Sequence, residues 1–147
     1  MNPNPYEALK LRNQVCFPLY ACTKELVRQY GPFLKECGLT YTQYIVMMVL
    51  WERQEITVKE LGETLWLDSG TLTPVLKKLE AKGLVKRQRA EDDERKMTIS
   101  VTDAGMALRA RASCIPAWIT DGVALSREDR AMLRRLIFRF LGREIPQ

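Results

Sequence analysis

The side chains with the most chemistry in this sequence are four cysteines, at positions 16, 22, 37 and 114. They form no CxxC pair, so neither a zinc ribbon nor a thioredoxin-type site is predicted. The sequence has no histidine, which excludes Ser-His-Asp and Cys-His catalysis and zinc sites of the HExxH type. We therefore predict free thiols in a reducing compartment, with no metal and no cofactor.

Composition and charge limit the class of protein further. The 147 residues are 46% apolar and 28% charged, which suits one compact domain with its own core. No apolar run approaches the roughly 18 residues needed to cross a bilayer, and the first residues do not resemble a signal peptide. We expect a cytoplasmic protein without a membrane partner. A net charge of +5 favours a polyanionic partner.

A long amphipathic helix is predicted from Tyr6 to Tyr30, because apolar residues recur there at steps of three and four. These residues are Ala8, Leu11, Val15, Leu19, Cys22 and Leu26. Pro18 lacks the amide that would bond to Gln14, so the spacing predicts a kink. Gly31 and Pro32 are expected to end or redirect the helix.

Three later helices begin with a capping-box pattern, in which a Ser or Thr is followed three residues on by an acid or amide. The pairs are Thr40 with Gln43, Thr57 with Glu60, and Ser126 with Asp129. A further helix is predicted from a cap at Asp68 or Ser69 to Lys82, with Pro74 inside it. Gly83 is its expected left-handed stop.

A β-hairpin is predicted after Gly83. Residues 84–87 and the alternating residues 97–101 are the strands, and the charged run 90–95 is the tip. Thr102 is then expected to start a helix running to about Asp121, and the last predicted helix ends at Gly142. The fold class is mainly α with a small β-hairpin, a winged helix-turn-helix.

Two helices joined by a short turn and followed by a hairpin wing are typical of DNA-binding proteins. Between Ser69 and Arg89 there are six basic residues and one acid, so the charge of the chain concentrates there. Double-stranded DNA is therefore the predicted partner.

The start of the second helix is expected to enter the major groove, where small polar side chains let the backbone approach the DNA. The predicted DNA-binding residues are Ser69, Gly70, Thr71, Thr73, Lys77, Lys78, Arg87, Asp93 and Arg95. Arg95 is the candidate for the minor groove, oriented by Asp93. The alternatives are that the Ser and Thr residues only cap a helix and that the hairpin tip is only solvated.

Several strings in the sequence resemble the MarR family of winged-helix repressors. They are the residues 61–65, 67–74, 93–95 and 102–105, which read LGETL, LDSGTLTP, DER and TDAG. Residues 13–20 and 39–44, which read NQVCFPLY and LTYTQY, resemble the organic-hydroperoxide-sensing branch of that family, called OhrR.

The resemblance implies an intertwined homodimer, in which the N- and C-terminal helices of the two subunits wrap around each other. It implies that this dimer binds a palindromic operator when reduced and is released when Cys16 is oxidised by an organic hydroperoxide. It implies a single domain over residues 1–147, with dimerisation helices at 6–36 and 102–144 and a DNA-binding region at 40–101. It also implies that Tyr20 and Tyr30 bond to the sulfur of Cys16, and it makes Cys114 a candidate resolving thiol.

Helical spacing can be compared with these implied roles. Tyr20 and Arg12 lie one turn either side of Cys16, where a phenol and a cation can reach the sulfur. Tyr30 is fourteen residues along the same helix, roughly 21 Å away, so only a partner subunit could bring it to Cys16. The alternative is that Cys16 is a small core residue. Cys22, on the apolar stripe, is expected to pack structurally.

Three other functions remain open at this point. A MarR-type repressor induced by an aromatic ligand would keep its response without Cys16. A thiol peroxidase would turn over hydroperoxide continuously. Our prediction is that the protein is not an enzyme. An architectural DNA-binding protein would ignore oxidants. The redox repressor ranks above all three.

Overall fold

The computed structural model describes residue 4 and residues 6–89 and 96–142. Two short 3-10 turns, Glu7–Leu9 and Leu11–Asn13, lead into the first helix. The elements that follow are α1 Cys16–Glu36, α2 Tyr41–Arg53, β1 Glu55–Thr57, α3 Val58–Leu65, α4 Ser69–Ala81, β2 Val85–Arg89, β3 Met97–Val101, α5 Asp103–Ala112, α6 Ile115–Asp121 and α7 Arg127–Phe140. The predicted fold class is confirmed, although the hairpin tip, with Asp93 and Arg95, lies outside the described residues. No described helix is long and apolar enough to span a membrane.

The predicted bounds of the first helix are wrong at both ends. The chain before Cys16 forms 3-10 turns, and α1 continues through Gly31 and Pro32 to Glu36. Pro18 is the third residue of α1, where a backbone amide has no partner within the helix, so its ring costs no hydrogen bond and the predicted kink is unnecessary. A proline within the first turn starts a helix more readily than it bends one.

The helix caps were predicted correctly. Both hydrogen bonds of the capping box are present at Thr40, Thr57 and Ser126. Gly83 follows α4 with φ of 71°, as a left-handed stop requires.

The helix predicted from Thr102 to Asp121 is interrupted after Ala112 and resumes as α6. Its break precedes Pro116, whose ring opposes a continuous helix at that point.

A three-stranded antiparallel sheet, in the order β1-β3-β2, forms the wing. In the register Ile56 of β1 lies opposite Ile99 of β3, and Val85 of β2 lies opposite Val101. Strand β1 is not predicted from the sequence, because three residues are too short to show a strand pattern. Through its pairing with β3, this strand connects the wing to the start of α3.

The core lies around α2, whose side chains Met47 and Leu50 are fully buried. Leucines of α3 and α4 and Ile99 of the wing pack against the same centre: Leu61, Leu72, Leu76 and Leu79. Burying each such side chain contributes roughly 1.5–3 kcal/mol. The Nε1 of Trp51 donates a hydrogen bond of 2.8 Å to the carbonyl oxygen of Gly105, which ties α2 to α5.

A second group of apolar side chains is exposed, on the segment before α1, on the first turns of α1 and on α7. We call it the terminal apolar surface: Tyr6, Leu9, Leu11, Val15, Phe17, Tyr20, Met132, Leu133, Leu136 and Phe140. Cys22, predicted to pack within the chain, is also exposed. Large exposed apolar areas of this kind mark interaction sites.

Replacing Gly105 by Ala should destabilise the fold. A Cβ there would collide with the carbonyl oxygen of Leu84 and approach Cγ2 of Val101 to 2.7 Å. Overpacking of this kind costs about 1–3 kcal/mol. Gly31→Ala is the matched control, because nothing lies within 4 Å of its Cβ and helix propensity should stabilise it by about 0.5–1 kcal/mol. Urea unfolding measures the free energy of unfolding of both variants, which should fall for Gly105→Ala and rise for Gly31→Ala. Equal changes would contradict the packing around Gly105.

Candidate DNA-binding surface and thiol site

The turn between α3 and α4 is built by two local features. Trp66, at the end of α3, is in the left-handed region with φ of 55°, which turns the chain sharply. Asp68 then caps α4, since its carboxylate accepts bonds from the amide of Thr71 at 2.8 Å and from the Thr71 hydroxyl at 3.2 Å. These bonds lower the pKa of Asp68.

One face of α4 is buried and the opposite face is exposed. Leu72, Leu76 and Leu79 pack inward, so the first turns of the helix present polar residues to solvent. The exposed members of the predicted set on α4 are Ser69, Gly70, Thr71, Thr73, Lys77 and Lys78. Thr73 donates its hydroxyl proton to the carbonyl oxygen of Ser69, leaving lone pairs of the hydroxyl oxygen free to accept bonds.

The predicted lysines of α4 divide between two places. Lys77 shares the exposed face with Thr73, one turn earlier. Lys78 instead lines a groove between α4 and the start of α2, together with Lys35 and Lys82. Lys82 donates hydrogen bonds to the carbonyl oxygen of Gly38 and to a side-chain oxygen of α2, so its ammonium holds the fold together.

Arg87, predicted to bind DNA, is half-buried and pairs with Glu80. Its Nη2 lies 2.7 Å from Oε2 of Glu80, its Nε donates to the same oxygen, and its amide donates to Oε1. The guanidinium lowers the pKa of Glu80. The charge count from the sequence therefore overstates the free cations here, while Lys86 and Arg89 of β2 remain exposed.

Cys16 is the first residue of α1 and is exposed. No side chain caps this end of the helix, and the amides of a first helical turn favour a negative charge nearby. Arg12, predicted beside the sulfur, lies before the helix and pairs with Glu7 at 3.1 Å. The expected cation at Cys16 is therefore engaged elsewhere in this chain.

The two predicted phenols lie in different surroundings on α1. Tyr20 is exposed one turn after Cys16, with Nζ of Lys24 5.3 Å from its ring centroid. Tyr30 is half-buried near the other end, 5.1 Å from the ring of Tyr41 and 5.8 Å from that of Tyr44. Burial raises the pKa of Tyr30. Both phenols share α1 with Cys16, and fourteen residues of helix place Tyr30 about 21 Å from it.

Cys37 and Cys114, both half-buried, lie away from Cys16. Cys37 ends α1, and burial raises the pKa of its thiol. Cys114 lies in the break between α5 and α6, where its Sγ is 3.4 Å from the carbonyl oxygen of Arg111. Among the residues that the structure describes, no cluster of three or more ligands could hold a metal ion.

Sequence reasoning missed a contact between α7 and the helix-turn-helix. The rings of Phe138 and Trp66 meet edge to face, with centroids 5.9 Å apart. Trp66 belongs to the turn that aims α4, and α7 carries part of the terminal apolar surface. The spacing of apolar residues in α7 could not show which residue of another element that helix contacts.

The model of a family described as transcriptional regulator SarA/Rot matches residues 28–111, more than half of the chain. The organic hydroperoxide resistance transcriptional regulator of Bacillus subtilis is 44% identical over 138 residues, 94% of each chain. This chain belongs to the MarR/SarA family of winged-helix transcriptional regulators.

Solved structures agree with this membership in the MarR/SarA family. Reduced AbfR bound to DNA, a protein of Staphylococcus epidermidis, has a TM-score of 0.79 at 33% identity, covering 95% of this chain and 97% of that one. Disulfide-formed AbfR has a TM-score of 0.60 at 37% identity, covering 89% and 95%. The family consists of regulators, which agrees with the prediction that this MarR/SarA member is not an enzyme.

Protonation of Glu80 should loosen the wing from α4. The pKa of Glu80 is lowered in the folded chain, so the bond to Arg87 contributes stability above the unfolded value of about 4.3 and loses it as pH falls through the folded pKa. Glu80→Gln cannot ionise, so its melting temperature should fall less between about pH 5 and pH 3. Thermal melts followed by circular dichroism test this, with Glu63→Gln as control. Parallel curves for wild type and Glu80→Gln would contradict it.

Proposed function

We propose that this chain is a redox-sensing repressor that binds a palindromic operator as a reduced homodimer and is released when an organic hydroperoxide oxidises Cys16. The observation that carries the proposal is the exposure of Cys16 at the start of α1, one turn from Tyr20. The likeness to the Bacillus subtilis organic hydroperoxide resistance regulator supports the oxidant class, and it favours this function over induction by an aromatic ligand.

The terminal apolar surface supports the homodimer. About ten large apolar side chains lie exposed on the two ends of one chain, where water contact is costly. A two-fold partner covers such a surface with its own copy. If the two α1 helices run antiparallel, the same symmetry brings Tyr30 of the partner subunit toward Cys16.

The sensing step is a two-electron oxidation of the Cys16 sulfur. The thiolate attacks the terminal oxygen of the hydroperoxide, the O–O bond breaks, an alcohol leaves and a sulfenic acid forms. This changes the bonding of the sulfur to the Tyr20 phenol and to the partner's Tyr30. The similar AbfR has been solved in a disulfide form, so Cys114 stays a candidate resolving thiol for Cys16 of the partner.

The contact between Phe138 and Trp66 supports a route from the dimer helices to DNA. A movement of α7 displaces the turn that precedes α4, because the two rings touch. Two recognition helices must enter half-sites roughly 34 Å apart, so a small displacement in each subunit spoils the fit.

The DNA-binding residues in this proposal are Ser69, Gly70, Thr71, Thr73 and Lys77 on the exposed face of α4. Lys78 and Arg87 flank this face, from the groove beside α4 and from the wing. Asp93 and Arg95 remain proposed contacts of the wing tip. The bulk of nonspecific affinity would come from the lysines, through phosphate contacts.

Lys77→Ala should weaken binding to every DNA sequence and lower the slope of log affinity against log salt by about one. Lys78→Ala is the charge-matched control, because it removes the same charge from the groove side of α4. Fluorescence anisotropy over a salt series measures both slopes. A smaller loss for Lys77→Ala than for Lys78→Ala would contradict the placement.

Stoichiometric cumene hydroperoxide should release the wild-type protein from DNA taken upstream of its own gene, with an affinity loss of roughly 5- to 150-fold. Cys16→Ser should stay bound, because the oxidised sulfur is absent. Cys22→Ser, exposed on the same helix, is the matched control and should be released like the wild type. Release of all three proteins, or of none, in fluorescence anisotropy would remove Cys16 from the mechanism.

A further inference from the structure

The ends of α1 and α6 bring two cysteines to the same place. The rings of Phe33 and Trp118 are in contact, with centroids 4.7 Å apart. Cys37 is one helical turn after Phe33, and its amide bonds to the Phe33 carbonyl oxygen at 3.4 Å. Cys114 is one turn before Trp118, and its carbonyl oxygen accepts the Trp118 amide at 3.2 Å.

A second link joins the same parts of the chain. Nη2 of Arg111, three residues before Cys114, donates to the carbonyl oxygen of Glu36, the residue before Cys37. Both links join the end of α1 to the chain around Cys114, so the two cysteines lie close together. The charges of Arg111 and of Cys114 both act on the Cys37 thiol, which agrees with this placement.

We propose that Cys37 and Cys114 form a second redox site, a dithiol within one chain that closes to a disulfide when an organic hydroperoxide oxidises it. This pairing is an alternative to the role of Cys114 as resolving thiol for Cys16 of the partner subunit, and it needs no partner subunit. Both residues lie at helix ends, Cys37 after α1 and Cys114 before α6, so the backbone can adjust to the Cα separation of about 4.4–6.8 Å that a disulfide needs.

The electrostatics of the pair assign the order of attack. Burial raises the pKa of Cys37, the guanidinium of Arg111 opposes this, and charge on Cys114 adds to it. Burial raises the pKa of Tyr44 to about 12, and Tyr30, Tyr41 and then the two thiols add to this effect. Because burial disfavours the thiolate of Cys37, we assign the resolving step to Cys37 and the first attack to Cys114.

The reaction consumes one hydroperoxide for each disulfide. The Cys114 thiolate attacks the terminal peroxide oxygen, the O–O bond breaks and an alcohol leaves. The Cys37 sulfur then attacks the sulfenic sulfur, the S–S bond forms and water leaves with the Cys37 proton. Two electrons pass from the two sulfurs to the peroxide.

The test uses the full chain carrying Cys16→Ser and Cys22→Ser, which leaves Cys37 and Cys114 as its two thiols. After cumene hydroperoxide and alkylation, we expect the mass to fall by two hydrogens, both alkylation sites to be lost and a 37–114 linked peptide to appear at monomer mobility without reductant. Adding Cys37→Ser should abolish the link. Two separately alkylated thiols, or a link that joins two chains, would overturn the proposal.

A melt of the reduced variant by circular dichroism verifies that it is folded before oxidation. If it is not, the linked peptide is sought in the wild-type protein, where its absence overturns the proposal equally. Failure of Cys16 to control release from DNA leaves this result untouched, so the two proposals fail separately.

Discussion

Burial of α2 is the constraint on which the other parts of the molecule depend. This helix contacts α1, both helices of the helix-turn-helix, the wing and α5. Its fully buried Met47 and Leu50 lie in one core with Leu34 of α1 and with the leucines of α3 and α4. In a close-packed interior a displacement on one side is transmitted because no space absorbs it. Trp51, bonded to Gly105, extends the same body to α5.

The features that could be predicted from the sequence are those determined by neighbouring residues. A capping box needs only a side chain and an amide three residues on, and all three predicted boxes formed. The missed features depend on position within a helix or on distant partners. The kink predicted at Pro18 depends on a helix start at Tyr6 instead of Cys16, and the short strand β1 exists only through its pairing with β3.

The candidate site shows the same division. The exposed polar face of α4 follows from the spacing of its leucines, and the distance between Tyr30 and Cys16 along α1 follows from helix geometry. The pairing of Arg87 with Glu80 does not, because a sequence count treats every cation as free. Nor could spacing show that Arg12 pairs with Glu7 and not with Cys16, because that pairing depends on the 3-10 turns that stand in place of a helix.

The three tryptophans of the chain lie at three different junctions. Trp51 is in the core and bonds to Gly105 of α5, Trp66 contacts Phe138 at the turn before α4, and Trp118 of α6 contacts Phe33 of α1. The intrinsic fluorescence of the protein is therefore the sum of three reporters. Variants that keep one indole at a time would separate changes in the core, at the contact of α7 with the turn and at the contact of α6 with α1, without any added dye.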